Sequence, residues 1–102
     1  MVPPEDESLA PGTSNRYDEG IALRGRLLEA VEKALGGDWQ AAHLIVQDHE
    51  DDAVAAWIHA VVHRMEGDLG NARYWYRRCG RPFREDVPTD AELREIRAAL
   101  LG

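Results

Sequence analysis

Apolar residues in this chain recur every three to four positions, the spacing that places them along one side of an α-helix. From about Tyr17 to Leu35, Leu23, Leu27, Val31 and Ala34 form such a stripe, which Leu28 and Leu35 widen. Gly36-Gly37 predicts a stop, because glycine takes the left-handed cap conformation without a Cβ clash. Asp38 predicts the N-cap of a second helix, from Trp39 to about Asp48, with Trp39, Ala42, Ile45, Val46 and His49 along one side. The acids of His49-Glu50-Asp51-Asp52 favour the start of a third.

That third helix, Ala53 to Glu66, carries Val54, Trp57, Ile58, Val61, Val62 and Met65 on one broad face. Ala55, Ala56 and Ala60 cover much of the remainder. So few long charged side chains predict neighbours on more than one side, and hence a central helix. Gly67 ends it, and Asp68 caps a fourth, Leu69 to about Cys79, closed by Gly80, Arg81 and Pro82. Val87-Pro88-Thr89 leads into a fifth over 89–101, where Thr89 and Glu92 have capping-box spacing. Its narrow stripe of Leu93, Ile96 and Leu100 suits a terminal helix that covers one end of the core.

Residue n aligns with n+30 over 21 positions from Leu27. Ala30, Val31, Gly37, Asp38 and Ala42 are identical to Ala60, Val61, Gly67, Asp68 and Ala72, and bulky apolar character persists between them. Two helix–turn–helix units, about 21–50 and 51–80, would bury together faces that neither buries alone. Gly67-Asp68, then Ala72 and YWYRR, resembles the second helix of tetratricopeptide and Sel1-like repeats. Ala72, Trp75, Tyr76 and Arg77 match the small residue, Trp-Tyr pair and basic residue of the latter. The resemblance covers Leu27 to about Arg81. Its period is 30 rather than the usual 34 or so, and Ala60 stands where a glycine is usual. The string AWIHAxxHRxEGDxxNAxYWYRR is also similar to one in a bacterial family, from which no activity carries over. The resemblance implies an all-α fold of about five helices: two tandem antiparallel hairpins and a C-terminal capping helix.

Composition narrows the picture little. Of 102 residues, 44% are hydrophobic and 30% charged, as in ordinary globular proteins. Residues 1–16, with Pro3, Pro4 and Pro11 among acids, are too poor in apolar groups to offset the entropy of ordering, so a flexible acidic tail is expected beside one domain over 17–102. A core of that size is marginal, and self-association as a homodimer would add burial. The net charge of −7 argues against nucleic acid and anionic membranes. One cysteine, Cys79, excludes an internal disulfide. With no apolar run near the roughly 20 residues of a membrane span and no leader-like start, the expected setting is cytoplasmic.

Chemistry concentrates in 56–78. His59, His63 and Glu66 are spaced i, i+4, i+7, so two imidazoles and a carboxylate can converge beside one helix, with His43 or His49 completing a zinc or iron shell. There is no HExxH. The competing reading has these histidines line a helix seam and bond to Glu66, Asn71 or Tyr74. Tyr74, Trp75 and Tyr76 are consecutive and cannot all face one core. Alignment with Ile45 and Val46 assigns Trp75 and Tyr76 to the interior and leaves Tyr74 for a groove or surface.

Arg73, Arg77, Arg78, Arg81 and Arg84 crowd twelve residues of an acidic chain. They suit carboxylate or phosphate, unless Glu85, Asp86, Glu92 and Glu95 neutralise them internally. Cys79 near a helix C-terminus predicts a raised thiol pKa and a structural role. No phosphate loop or nucleophile elbow is present. The leading expectation is a protein-interaction or self-assembling module, without a catalytic residue or cofactor, that binds a protein or acidic peptide through Asn71, Arg73, Tyr74, Arg77 and Arg81. The alternative is a metal-binding protein or metal-dependent enzyme using zinc or iron at His59, His63 and Glu66, with His43 as fourth ligand.

Overall fold

The computed structural model describes residues 16–102, the side chains from Gly20 onward; the acidic tail expected over 1–16 lies, up to Asn15, outside the described residues. Five α-helices follow one another: α1 (Arg16–Leu35), α2 (Trp39–Val46), α3 (Ala53–Glu66), α4 (Leu69–Cys79) and α5 (Thr89–Leu101). A single 3-10 turn, Gln47–His49, extends α2. No strand occurs among the described residues, and none of their helices is long and apolar enough to cross a membrane. The fold is all-α.

Local chemistry sets the boundaries. Gly37, Gly67 and Gly80 have φ of +92°, +89° and +75°, a region that costs a residue with a Cβ and ends α1, α3 and α4. The next residue after two of these glycines restarts the chain as a helix. Asp38 accepts a hydrogen bond from the Ala41 amide at 3.1 Å, and Asp68 from Asn71 at 3.2 Å. Asp52 does the same for Ala55 at the start of α3. The fifth helix departs from expectation. Thr89 is already helical, the N-cap is Pro88, and no side chain caps it; Glu92 is used elsewhere.

Helix α3 is buried without interruption from Ala55 to His63. It packs on α1, α2, α4 and α5, so it is central because every side has a helix against it. The aligned alanines Ala30, Ala42, Ala60 and Ala72 are fully buried, and their small side chains let the helices approach closely. Leu93, Ile96 and Leu100 bring α5 onto this core.

One charged side chain joins the apolar ones. Glu92 is 1% exposed. Its carboxylate accepts from Trp57 Nε1 at 2.8 Å, Arg64 Nη1 at 2.8 Å and Tyr76 OH at 2.7 Å. Burial and the adjacent carboxylate push the Tyr76 phenol well above its ordinary pKa. Arg64, itself largely buried, also donates to the Val87 carbonyl, so α3 holds both α5 and the loop before it. At the rim, Arg84 reaches Glu95 through both terminal nitrogens, and Arg97 pairs with Glu32 of α1 at 3.0 Å.

Removing one partner of a buried ion pair strands the other without water. Glu92→Ala should therefore lower unfolding free energy by about 3–5 kcal/mol, and Arg94→Ala, which breaks only the exposed pair with Asp90, by about 1 kcal/mol or less. Urea denaturation followed by circular dichroism checks both. Equal losses in the two variants would contradict the assignment.

Candidate metal centre

Three imidazoles meet where α2 and α3 pack. His43 comes from α2; His59 and His63 come from one face of α3, four residues apart, which stacks them one turn above the other. Ring centroids lie 4.8 Å apart for His43–His59, 5.4 Å for His43–His63 and 5.0 Å for His59–His63. One nitrogen from each ring lies within 4.8 Å of the other two. His59 and His63 are buried and His43 is half-buried, so the cluster has a closed interior and one edge toward solvent.

Each ring is oriented by a neighbour. Trp75 of α4 stacks on His59 at 3.9 Å and 11°, with the Arg78 guanidinium 5.1 Å from the indole centroid. Arg78 also donates to the Tyr74 hydroxyl and to the Glu50 carbonyl, which ties α4 to the turn before α3. His63 Nδ1 lies 2.5 Å from Glu66 Oε1. An ionised carboxylate only accepts, so in this contact Nδ1 is the donor and the ring turns Nε2 away from Glu66. His59 Nδ1 is buried with no hydrogen-bond partner, a condition that costs free energy unless something else fills it.

The electrostatics keep His59 neutral. Burial foremost, then the nearby imidazoles of His43 and His63 and the Arg78 guanidinium, pull its pKa from 6.5 down to about 3. A neutral imidazole is the form that ligates metal.

The residues expected to act together are distributed differently. His43 joins His59 and His63, whereas Glu66 sits behind His63 and meets a second, more exposed grouping with His63 and Asp68. His49 lies in the 3-10 turn and belongs to neither grouping. Tyr74 is 41% exposed and bonded to Arg78. Asn71 donates to the Asp68 carboxylate at 2.7 Å, completing a helix cap. Arg73, Arg77 and Arg81 line a separate pocket with Tyr76, Phe83 and Glu85. Helix α4 ends at Cys79, so Arg81 reaches that pocket from beyond the Gly80 turn. The Cys79 thiol is half-buried, donates weakly to the Tyr76 carbonyl, and has a pKa raised chiefly by burial. The sequence pattern assigns Trp75, the ring that covers His59, only to packing, because a separation of 16 residues from His59 carries no local signal.

No protein-family model, curated protein or solved structure matches the chain.

A histidine whose pKa falls on folding stabilises the fold fully above its unfolded pKa, and that stabilisation is lost as pH falls from about 6.5 toward 3. Metal-free protein should thus lose about 1.4 kcal/mol per pH unit through this residue across that window. His59→Phe keeps a ring against Trp75 and removes the titration. Its stability should fall less steeply by that amount between pH 6 and 4, measured by urea denaturation in chelator. Parallel profiles for the two proteins would show that His59 is not held neutral.

Proposed function

We propose that this chain binds a divalent transition-metal ion, with zinc the best fit, through His43, His59 and His63. The observation that supports this reading is the convergence of one ring nitrogen from each of three imidazoles, on a histidine pair that is buried and includes a His59 Nδ1 without a hydrogen-bond partner. Packing alone explains the stacking of His59 on Trp75, but it leaves that nitrogen unsatisfied. A bound ion would give a donor atom of His59 a partner that packing does not supply.

The donor set favours zinc over iron. Non-haem iron sites of the facial type use two histidines and a carboxylate. Here the nearest carboxylate, Glu66, is engaged at His63 Nδ1, the place where a carboxylate orients a metal-bound histidine and raises its basicity. Zinc binds imidazole nitrogen at about 2.0–2.1 Å in a tetrahedral shell. Drawing the three nitrogens onto one ion needs the rings to close inward, and His43, at the solvent edge, has room to turn. His59 supplies its nitrogen with no proton to lose near neutrality.

Three protein ligands leave one position of a tetrahedral ion for water or an exogenous donor. An ion held by His43, His59 and His63 would supply Lewis acidity at that position. This chain's residues would do the rest: Glu66 holds the His63 proton at Nδ1, and Trp75 and Arg78 keep water from His59. A cytoplasmic setting accords with the reading, since metal rather than disulfide chemistry suits a chain with one thiol.

Purified chain, stripped with chelator and titrated with zinc, should take up one ion per chain. His59→Ala and His63→Ala should each abolish uptake, and Glu66→Gln should weaken it about 10- to 100-fold, with circular dichroism confirming that each variant is folded. Calorimetry and elemental analysis supply the measurement. Unchanged uptake in a folded His43→Ala, His59→Ala double variant would overturn the proposal.

A further inference from the structure

A second feature uses none of the histidines. Between α4 and the loop before α5, a pocket of about 260 Å³ is lined by Arg73, Tyr76, Arg77, Arg81, Phe83 and Glu85. Three arginines lining one small pocket stand out in a chain with 12 basic and 19 acidic side chains. Most arginines elsewhere have found an acid: Arg26 has Glu29, Arg84 has Glu95, Arg94 has Asp90 and Arg97 has Glu32. Arg77 and Arg81 make no ion pair among the described residues, and Arg77 is exposed.

The walls hold these groups in place. The Phe83 ring stacks on Tyr76 at 5.1 Å, and the Arg73 guanidinium lies 5.3 Å from its centroid. The Arg81 guanidinium lies 3.5 Å from the Trp57 centroid, at the border with an adjoining pocket that Trp57, Glu92 and Glu95 also line. Stacked guanidinium groups lose less freedom on meeting an acid, and their free edges remain available as donors.

Glu85 indicates what such donors accept. Its carboxylate sits in the pocket 3.6 Å from Arg73, beyond hydrogen-bond length, with its side chain 70% exposed. It is a weakly held resident acid that occupies one arginine of three. We infer that this pocket binds an acidic peptide segment, whose carboxylates bridge Arg77 and Arg81 and displace Glu85 from Arg73. Carboxylates on a flexible backbone match arginines spread along a row, and Phe83 and Tyr76 give the intervening methylene groups an apolar wall. A polyanion such as nucleic acid would meet the net charge of −7 everywhere else.

The test uses the full chain labelled with ¹⁵N, following the arginine Nε–Hε resonances during titration with a capped tetraglutamate peptide. Capped tetraglutamine and inorganic phosphate at matched ionic strength serve as comparison probes. Tetraglutamate should give saturable shifts at Arg77 and Arg81 that tetraglutamine does not. Arg77→Gln, at an exposed position, should weaken binding about tenfold, since a charge-assisted hydrogen bond is worth that much. Glu85→Gln should strengthen it by removing the competitor. The inference is overturned if the two peptides behave alike, if phosphate saturates these arginines and tetraglutamate does not, or if Glu85→Gln weakens binding. Each of these outcomes is independent of whether the histidines hold zinc.

Discussion

A carboxylate that water cannot reach persists in this fold because three donors from two helices are aimed at it. Trp57, Arg64 and Tyr76 all converge on Glu92. Desolvating a carboxylate costs several kcal/mol, and only good geometry with every lone pair engaged offsets that. Apolar packing tolerates small sliding of one helix on another. Three directional bonds to one group do not, so the network sets the register of α3, α4 and α5 together.

The same two helices carry the histidine cluster. Trp57 and His59 are two residues apart on α3, and Tyr76 and Trp75 are adjacent on α4. Helix α3 turns Trp57 and Arg64 toward Glu92 and His59 toward the imidazoles, and α4 turns Tyr76 toward Glu92 and Trp75 toward His59. Fixing Trp57 and Tyr76 therefore also fixes where His59 and Trp75 meet, and the 3.9 Å ring stack follows from that register. Preorganisation of this kind matters for a metal site, whose ligands must be held to within a fraction of an ångström. Burial adds the second requirement by keeping His59 neutral. A neutral nitrogen without a hydrogen bond is a liability in an ordinary core and a resource in a ligand shell.

Much of this is legible in the order of residues along the chain. Glycine followed by aspartate twice announced a left-handed stop and a side-chain cap, and both occur at Gly37-Asp38 and Gly67-Asp68. Helix α3 betrayed its central place through its lack of long charged side chains. Trp75 and Tyr76 were assigned to the interior by alignment with Ile45 and Val46, and both are buried. Glu92 was not legible. Its spacing from Thr89 matched a capping box, and a local pattern cannot show that donors 35, 28 and 16 residues away will enclose a carboxylate. The histidines were half legible. Spacing along one helix brought His59 and His63 together, but it also placed Glu66 beside them. Only the packing of α2 on α3 sets His43 into the cluster and leaves Glu66 behind His63. Arg81 is a similar case: the Gly80 turn, rather than continued helix, carries it to the pocket of Arg73 and Arg77.

X-ray absorption at the zinc edge reads directly which donors of this chain surround an added zinc ion. The zinc-loaded chain should show three imidazole rings bound through nitrogen at about 2.0–2.1 Å, with one further oxygen donor completing four-coordination. A shell dominated by carboxylate or water oxygens, with imidazole scattering from one ring or none, would place the ion elsewhere on this acidic chain and contradict the account.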